Sequence, residues 1–71
     1  MSANLERELH DAWANAPDGE VVVRIHLFGI RHADELEGRS LRDLVDGAGV
    51  PRPYATEIRK AMRLADYVEL Q

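Results

Sequence analysis

The sequence predicts a small, mainly all-α domain, a bundle of about four helices. Apolar residues recur three and four positions apart in several segments, which is the spacing that gives a helix one apolar face. Clusters of glycine and proline separate these segments and predict the turns between helices. With only 71 residues, the chain is long enough for one hydrophobic core. Residues 1–71 are therefore expected to form a single domain.

The first helix is expected from about Ala3 to Ala14. The residues that repeat at helical spacing and predict one apolar stripe are Leu5, Leu9, Ala12, Trp13 and Ala16. The segment after Ala14 contains Pro17, which disfavours helix in the residue before it, and Asp18-Gly19, which is typical of a turn. The chain is expected to turn here and begin a second element.

The second element, Glu20 to Glu37, fits two interpretations. Its first part, Glu20 to Phe28, alternates apolar and polar residues as a half-buried strand would, and its β-branched residues favour that reading. A helix is favoured by five residues that share one helical face, namely Val22, Ile25, Gly29, Ala33 and Leu36. The segment from Arg31 to Glu37 shows no strand-like alternation. We favour a helix that ends at Gly38, and the strand reading of Glu20 to Phe28 stays open.

Two further helices follow. The segment Ser40-Leu41-Arg42-Asp43 resembles a capping box, so a short helix should begin at Leu41 and stop at Gly47-Ala48-Gly49. The last helix should have Pro53 in its first turn and run to about Leu64. Its apolar residues at helical spacing are Ala55, Ile58, Met62 and Ala65. The alternating residues Tyr67 to Leu70 predict a short C-terminal strand or an extended tail.

The segment from Leu41 to Lys60, LRDLVDGAGVPRPYATEIRK, resembles the helix-turn-helix of the phage-repressor class of bacterial regulators. In that arrangement Gly49 falls at the turn, where a positive φ is needed, and Val50 plugs the angle between the helices. Val45 stands at the helix crossing, where the family prefers a small residue. The remaining inward positions are Leu44, Ala48, Ala55 and Ile58.

The resemblance implies that DNA is the partner and that the second helix of the motif enters its major groove. The outward residues expected to face DNA bases are Arg52, Pro53, Thr56, Glu57, Lys60 and Arg63. Arg59 and Tyr54 are expected to meet phosphates. The chain would then be a small transcriptional regulator or a phage- or defence-associated accessory protein.

The charge distribution supports this surface and also suggests an alternative. The whole chain has a net charge of −4 and an isoelectric point of about 5.2. Between Pro51 and Arg63, four basic residues against one acid give +3, so the rest of the chain carries −7. The alternative is a protein-interaction module that uses an acidic face, possibly as a DNA mimic. A homodimer contact is expected from the apolar segments Val21 to Val23 and Val68 to Leu70.

No group of residues predicts catalysis, a metal or a cofactor. The three histidines, His10, His26 and His32, are not paired at ligand spacing, and surface or partly buried positions are expected for them. The chain contains no cysteine, which fits a reducing interior and a cytoplasmic location. Its longest apolar stretch is too short to span a bilayer, and neither export nor membrane insertion is indicated.

Overall fold

The computed structural model describes residues 2–68, with side chains from residue 4 onward, and these residues form five α-helices. The helices are α1 (Ser2–Ala14), α2 (Val21–Arg31), α3 (Ala33–Leu36), α4 (Leu41–Ala48) and α5 (Tyr54–Leu64). There is no strand within residues 2–68. The predicted all-α class is confirmed, and the bounds of the first helix and of the last two agree with those predicted to within a residue.

One core holds the five helices together. Each helix contributes one large side chain that is fully buried. These side chains are Leu9, Ile25, Leu36, Val45 and Ile58. Burial of such a side chain stabilises the fold by roughly 1.5–3 kcal/mol. Because even the four-residue α3 contributes Leu36, every helix is fixed against the same centre.

The segment from Val21 to Leu36 is helical except at His32, and the strand interpretation of Glu20 to Phe28 is wrong. Ile25, Phe28 and Gly29 are buried on one side of α2, as the three- and four-residue spacing requires. The helix is, however, interrupted at His32, where φ is −109° and ψ is 18°. The predicted single helix is therefore two helices, α2 and the short α3.

The most extensive contact between helices is that of α2 with α5, and Gly29 makes it close. A Cβ atom at Gly29 would lie 2.6 Å from Cβ of Ala61 and 3.0 Å from the carbonyl oxygen of Ile58. Real Cβ atoms do not approach other atoms so closely, so the backbones can meet here only because residue 29 has no side chain. This contact buries one face of α5 and leaves the opposite face exposed.

The predicted C-terminal strand is not formed at Tyr67 and Val68, the two of its residues that the structure describes. Tyr67 lies in a turn and Val68 has no regular secondary structure. Glu69 and Leu70, the other two residues of the predicted strand, lie outside the described residues.

Candidate nucleic-acid interface

Local hydrogen bonds fix both ends of α4 and the turn that follows it. At the start of α4, the Ser40 hydroxyl accepts a bond of 3.2 Å from the backbone N–H of Asp43, as the capping box predicts. At the end of α4, Gly49 has φ 73° and ψ 24°, the left-handed conformation that glycine adopts without steric cost. The N–H of Val50 then donates to the carbonyl of Val45 at 2.9 Å. These bonds set the direction in which the chain enters α5.

The inward positions of the motif have the expected register. Leu44, Val45 and Ala48 of α4 are buried, as are Val50 in the turn and Ile58 of α5. Ala55 is partly buried and packs against the same core. The residues that the helix-turn-helix resemblance assigns to the inside of the motif are therefore buried or partly buried, as expected.

His10 supports the turn from outside the motif, through a contact that no spacing in the sequence indicates. Its Nδ1–H donates to the carbonyl oxygen of Ala48 at 2.9 Å, at the C-terminal end of α4. The ring packs edge-on against Trp13, with 5.8 Å between the ring centroids. A donor at a helix C-terminus satisfies a carbonyl that has no partner within the helix. Thus α1 holds the end of α4.

The side of α5 opposite Ile58 is polar and exposed. Arg59 and Lys60 lie three and four residues after Thr56, and Arg63 lies four and three residues after them, so the four residues share one helix face, and all four are exposed. Arg52 and Pro53 are exposed just before the helix. We call Thr56, Arg59, Lys60 and Arg63 the basic face of α5.

Tyr54 and Glu57 lie beside the basic face and are only partly accessible. Tyr54 is partly buried and packs against the hydrophobic core, and its contact with phosphate stays a prediction. Glu57 is bound on both sides: its Oε1 accepts from His26 Nε2 at 2.9 Å, and its Oε2 accepts from Lys60 Nζ at 3.3 Å. The hydrogen bond from His26, followed by that from Lys60, lowers the pKa of Glu57.

The cations of this region lie close to acids that are distant from most of them in the sequence. Arg52 bridges the turn to Asp46 through two bonds of 3.2 Å, from Nε to Oδ1 and from Nη2 to Oδ2. These bonds and the charge of Asp46 raise the pKa of Arg52. Arg59 and Arg63 line an open depression between α3 and α5, whose acidic lining residues are Asp34, Glu37 and Asp66. The positive charge is therefore exposed but partly screened.

A family model described as an HTH-like domain matches residues 1–71, the whole chain. The chain belongs to the HTH-like domain family. The match agrees with the helix-turn-helix predicted over Leu41 to Lys60, while the phage-repressor class stays a prediction. No curated protein and no solved structure matches the chain.

The third histidine of this HTH-like domain lies away from the motif, where α2 ends. His32 Nδ1 bonds to Oε1 of Glu35 at 2.9 Å, its Nε2 bonds to Glu8, and its ring packs against Phe28. Burial by itself lowers the pKa of His32, but the hydrogen bonds and charges of Glu35 and Glu8 outweigh it and raise that pKa above 6.5. His32 thus joins α1 to α3.

Within residues 2–68, no three potential ligands among His, Cys, Asp and Glu are grouped so that they could hold a metal ion. None of the described helices has both the length and the apolar character that crossing a bilayer requires.

Proposed function

We propose that this HTH-like domain binds double-stranded DNA and places α5 in the major groove. The observation that carries the proposal is the basic face itself: three cations and a threonine on one exposed side of the helix that follows the turn. Arginine and lysine can donate to O6 and N7 of guanine, and threonine can contact a thymine methyl group. Arg52 and Pro53, at the entry of α5, would lie nearest the groove edge.

The ion pairs of Arg52 and Lys60 would have to be exchanged for phosphate contacts when DNA binds. Arg52 and Lys60 now bond to Asp46 and Glu57, and a phosphate would compete with these carboxylates. Exposed ion pairs of this kind contribute little to stability because solvent screens them, so exchanging a carboxylate for a phosphate costs little. The net charge of −4 opposes approach to DNA, and we expect binding that weakens steeply as salt rises.

The biological role that fits this activity is that of a small transcriptional regulator or a phage- or defence-associated accessory protein acting in the cytoplasm. Helix-turn-helix units commonly bind DNA as dimers, and we propose the same here. Val22 and Val23 are 44% and 52% exposed and remain available for a subunit contact, whereas Val21 packs against the core. Sedimentation that shows only monomer at micromolar concentration would contradict the proposed dimer.

A second candidate function is binding of a basic protein partner through the acidic surface. It is favoured by the acids that line the depression beside Arg59 and Arg63, and by the charge of −7 outside the basic stretch. In this case the chain would keep the helix-turn-helix shape without contacting DNA. Its affinity for DNA would be negligible even at low salt.

Charge reversal on the basic face tests the leading proposal. Fluorescence anisotropy would follow binding to labelled genomic fragments at two salt concentrations. Lys60→Glu and Arg63→Glu should each weaken binding by about tenfold or more, because each replaces a cation that meets phosphate or base. Arg7→Glu, an identical charge change on the exposed side of α1, is the control and should have a much smaller effect.

Thermal unfolding of the same variants separates binding from folding. Because Lys60 and Arg63 are exposed, their reversal should leave the melting temperature nearly unchanged. If Lys60→Glu and Arg63→Glu bind DNA as tightly as the wild type, the basic face is not the DNA-binding surface.

A further inference from the structure

The carboxylate of Glu57 is held by donors from two different helices. His26 of α2 approaches Oε1 and Lys60 of α5 approaches Oε2, at 2.9 Å and 3.3 Å. The side chains of His26 and Glu57 are 33% and 27% exposed, so both lie at the rim of the contact between α2 and α5. Glu57 thus differs from the four residues of the basic face, which are all exposed.

An ionised carboxylate can only accept hydrogen bonds, and its two oxygens offer about four acceptor positions. His26 and Lys60 use one on each oxygen. The lowered pKa of Glu57 keeps the group ionised at neutral pH, so it cannot act as a donor. What remains is a fixed, partly exposed acceptor at the edge of the surface proposed to face DNA.

The bases differ in what they offer to such a group in the major groove. Guanine and thymine present acceptors there, which a carboxylate repels, whereas cytosine presents the N4 amino donor. Adenine also has an amino donor, but its neighbouring N7 is an acceptor and would repel the second carboxylate oxygen. An ionised carboxylate in this position therefore favours cytosine.

We propose that Glu57 is a specificity-determining residue that selects cytosine, and that His26 is the residue that positions it. This inference rests on the proposed binding of DNA by α5. His26 is the more important of the two partners because Lys60 lies on the basic face and would turn toward a phosphate when DNA binds. The histidine, from a separate helix, would still hold the carboxylate in place, so less rotamer freedom is lost on binding.

The two residues make different predictions when they are replaced. Glu57→Gln keeps the shape but turns one acceptor into a donor, and a glutamine amide pairs with N6 and N7 of adenine. The preference at one position of the site should therefore change from cytosine to adenine. His26→Leu removes the donor and should leave the preferred base the same but reduce its selection, whereas His26→Gln, which retains an N–H donor, should restore part of it.

Selection from a library of randomised duplexes, followed by sequencing, measures these preferences. For the wild type we expect cytosine over guanine by about tenfold or more at one position, and a ratio of under ~3 for His26→Leu. Thr56→Ala, on the adjacent exposed surface, should change a different position. Melting temperatures measured in parallel show whether a variant is folded, and a merely structural role for His26 would move the melting temperature without altering the base profile.

The outcomes are distinct. A wild-type protein that enriches no duplex overturns both the proposed function and this inference. A wild-type protein that enriches a site, while Glu57→Gln selects the same bases in the same ratios, overturns the role of Glu57 and leaves DNA binding intact. A shift from cytosine to adenine in Glu57→Gln, together with the graded effect of the two His26 variants, establishes both roles.

Discussion

Gly49 is the residue on which the geometry of the motif depends most directly. Its φ of 73° lies in a region that β-branched residues strongly disfavour. Gly49→Val should therefore lower the free energy of unfolding by ~1–3 kcal/mol, measured by urea or thermal denaturation. Gly49→Asn is the matched control, because asparagine adopts this conformation more readily, and it should cost less. Wild-type melting of Gly49→Val would contradict the assignment of the turn.

Features that depend on neighbouring residues in the sequence were predictable, whereas hydrogen bonds between residues far apart in the sequence were not. The conformation of Gly49 and the capping bond of Ser40 follow from neighbouring residues in the sequence, and both are present. The bonds from His10 to Ala48 and from His26 to Glu57 join residues 38 and 31 positions apart. No periodicity or spacing reports such a pair, because only the packing of α1 and α2 against the motif brings the partners together.

At the scale of the helices, the crossing of α2 and α5 depends on the absence of a side chain at Gly29. In Gly29→Ala the new Cβ would lie 2.6 Å from Cβ of Ala61, so the two helices would have to separate. We expect a loss of ~1–3 kcal/mol in the free energy of unfolding, despite the better helix propensity of alanine. Adding Ala61→Gly removes the side-chain clash and should restore part of the loss. Additive losses in the double variant would show that the two positions are not coupled.

The junction between α2 and α3 makes stability depend on pH. The pKa of His32 is raised in the folded chain. The protonated ring therefore stabilises the fold, and this contribution is fully present at pH values below the ordinary histidine pKa of 6.5. That contribution is lost as the pH rises through the folded-state pKa. The opposite holds for Glu35, whose pKa is lowered by its bond to His32, so its contribution is lost on acidification through its folded-state pKa.

Urea unfolding at several pH values from about 6 to about 9 tests this junction, with His32→Gln as the comparison. The wild type should lose stability relative to His32→Gln as the pH rises, so the difference between the two free energies of unfolding should shrink. The other histidines are present in both proteins and cancel in the comparison. Parallel curves would show that the protonation of His32 is not linked to folding.

The helices themselves were largely predictable from periodicity, but the break at His32 was not. Ala33 and Leu36 continue the apolar spacing of α2, so the pattern gives no reason to end a helix there. The break places the His32 ring between Glu8 and Glu35, which lie on α1 and α3. For the segment from Glu20 to Phe28, the helix prevails over the strand because Ile25 and Phe28 are buried against the core on one helical face.

At the scale of the whole molecule, the sequence predicted how much charge the basic stretch carries but not what surrounds it. The excess of +3 between Pro51 and Arg63 is a property of the sequence. The fold then brings Asp34 and Glu37 beside Arg59 and Arg63, because α3 packs against α5. The basic face is therefore not turned away from the acids, and its effect on DNA is expected to be local and sensitive to salt.

Amide chemical-shift mapping would show directly whether the basic face of α5 contacts DNA. An isotope-labelled sample would be titrated at low salt with a short duplex selected for binding. The largest shift changes should fall on Thr56, Arg59, Lys60 and Arg63, with small changes along the exposed side of α1. Changes that instead centre on α1, or on the acids of α3, would contradict the proposed surface.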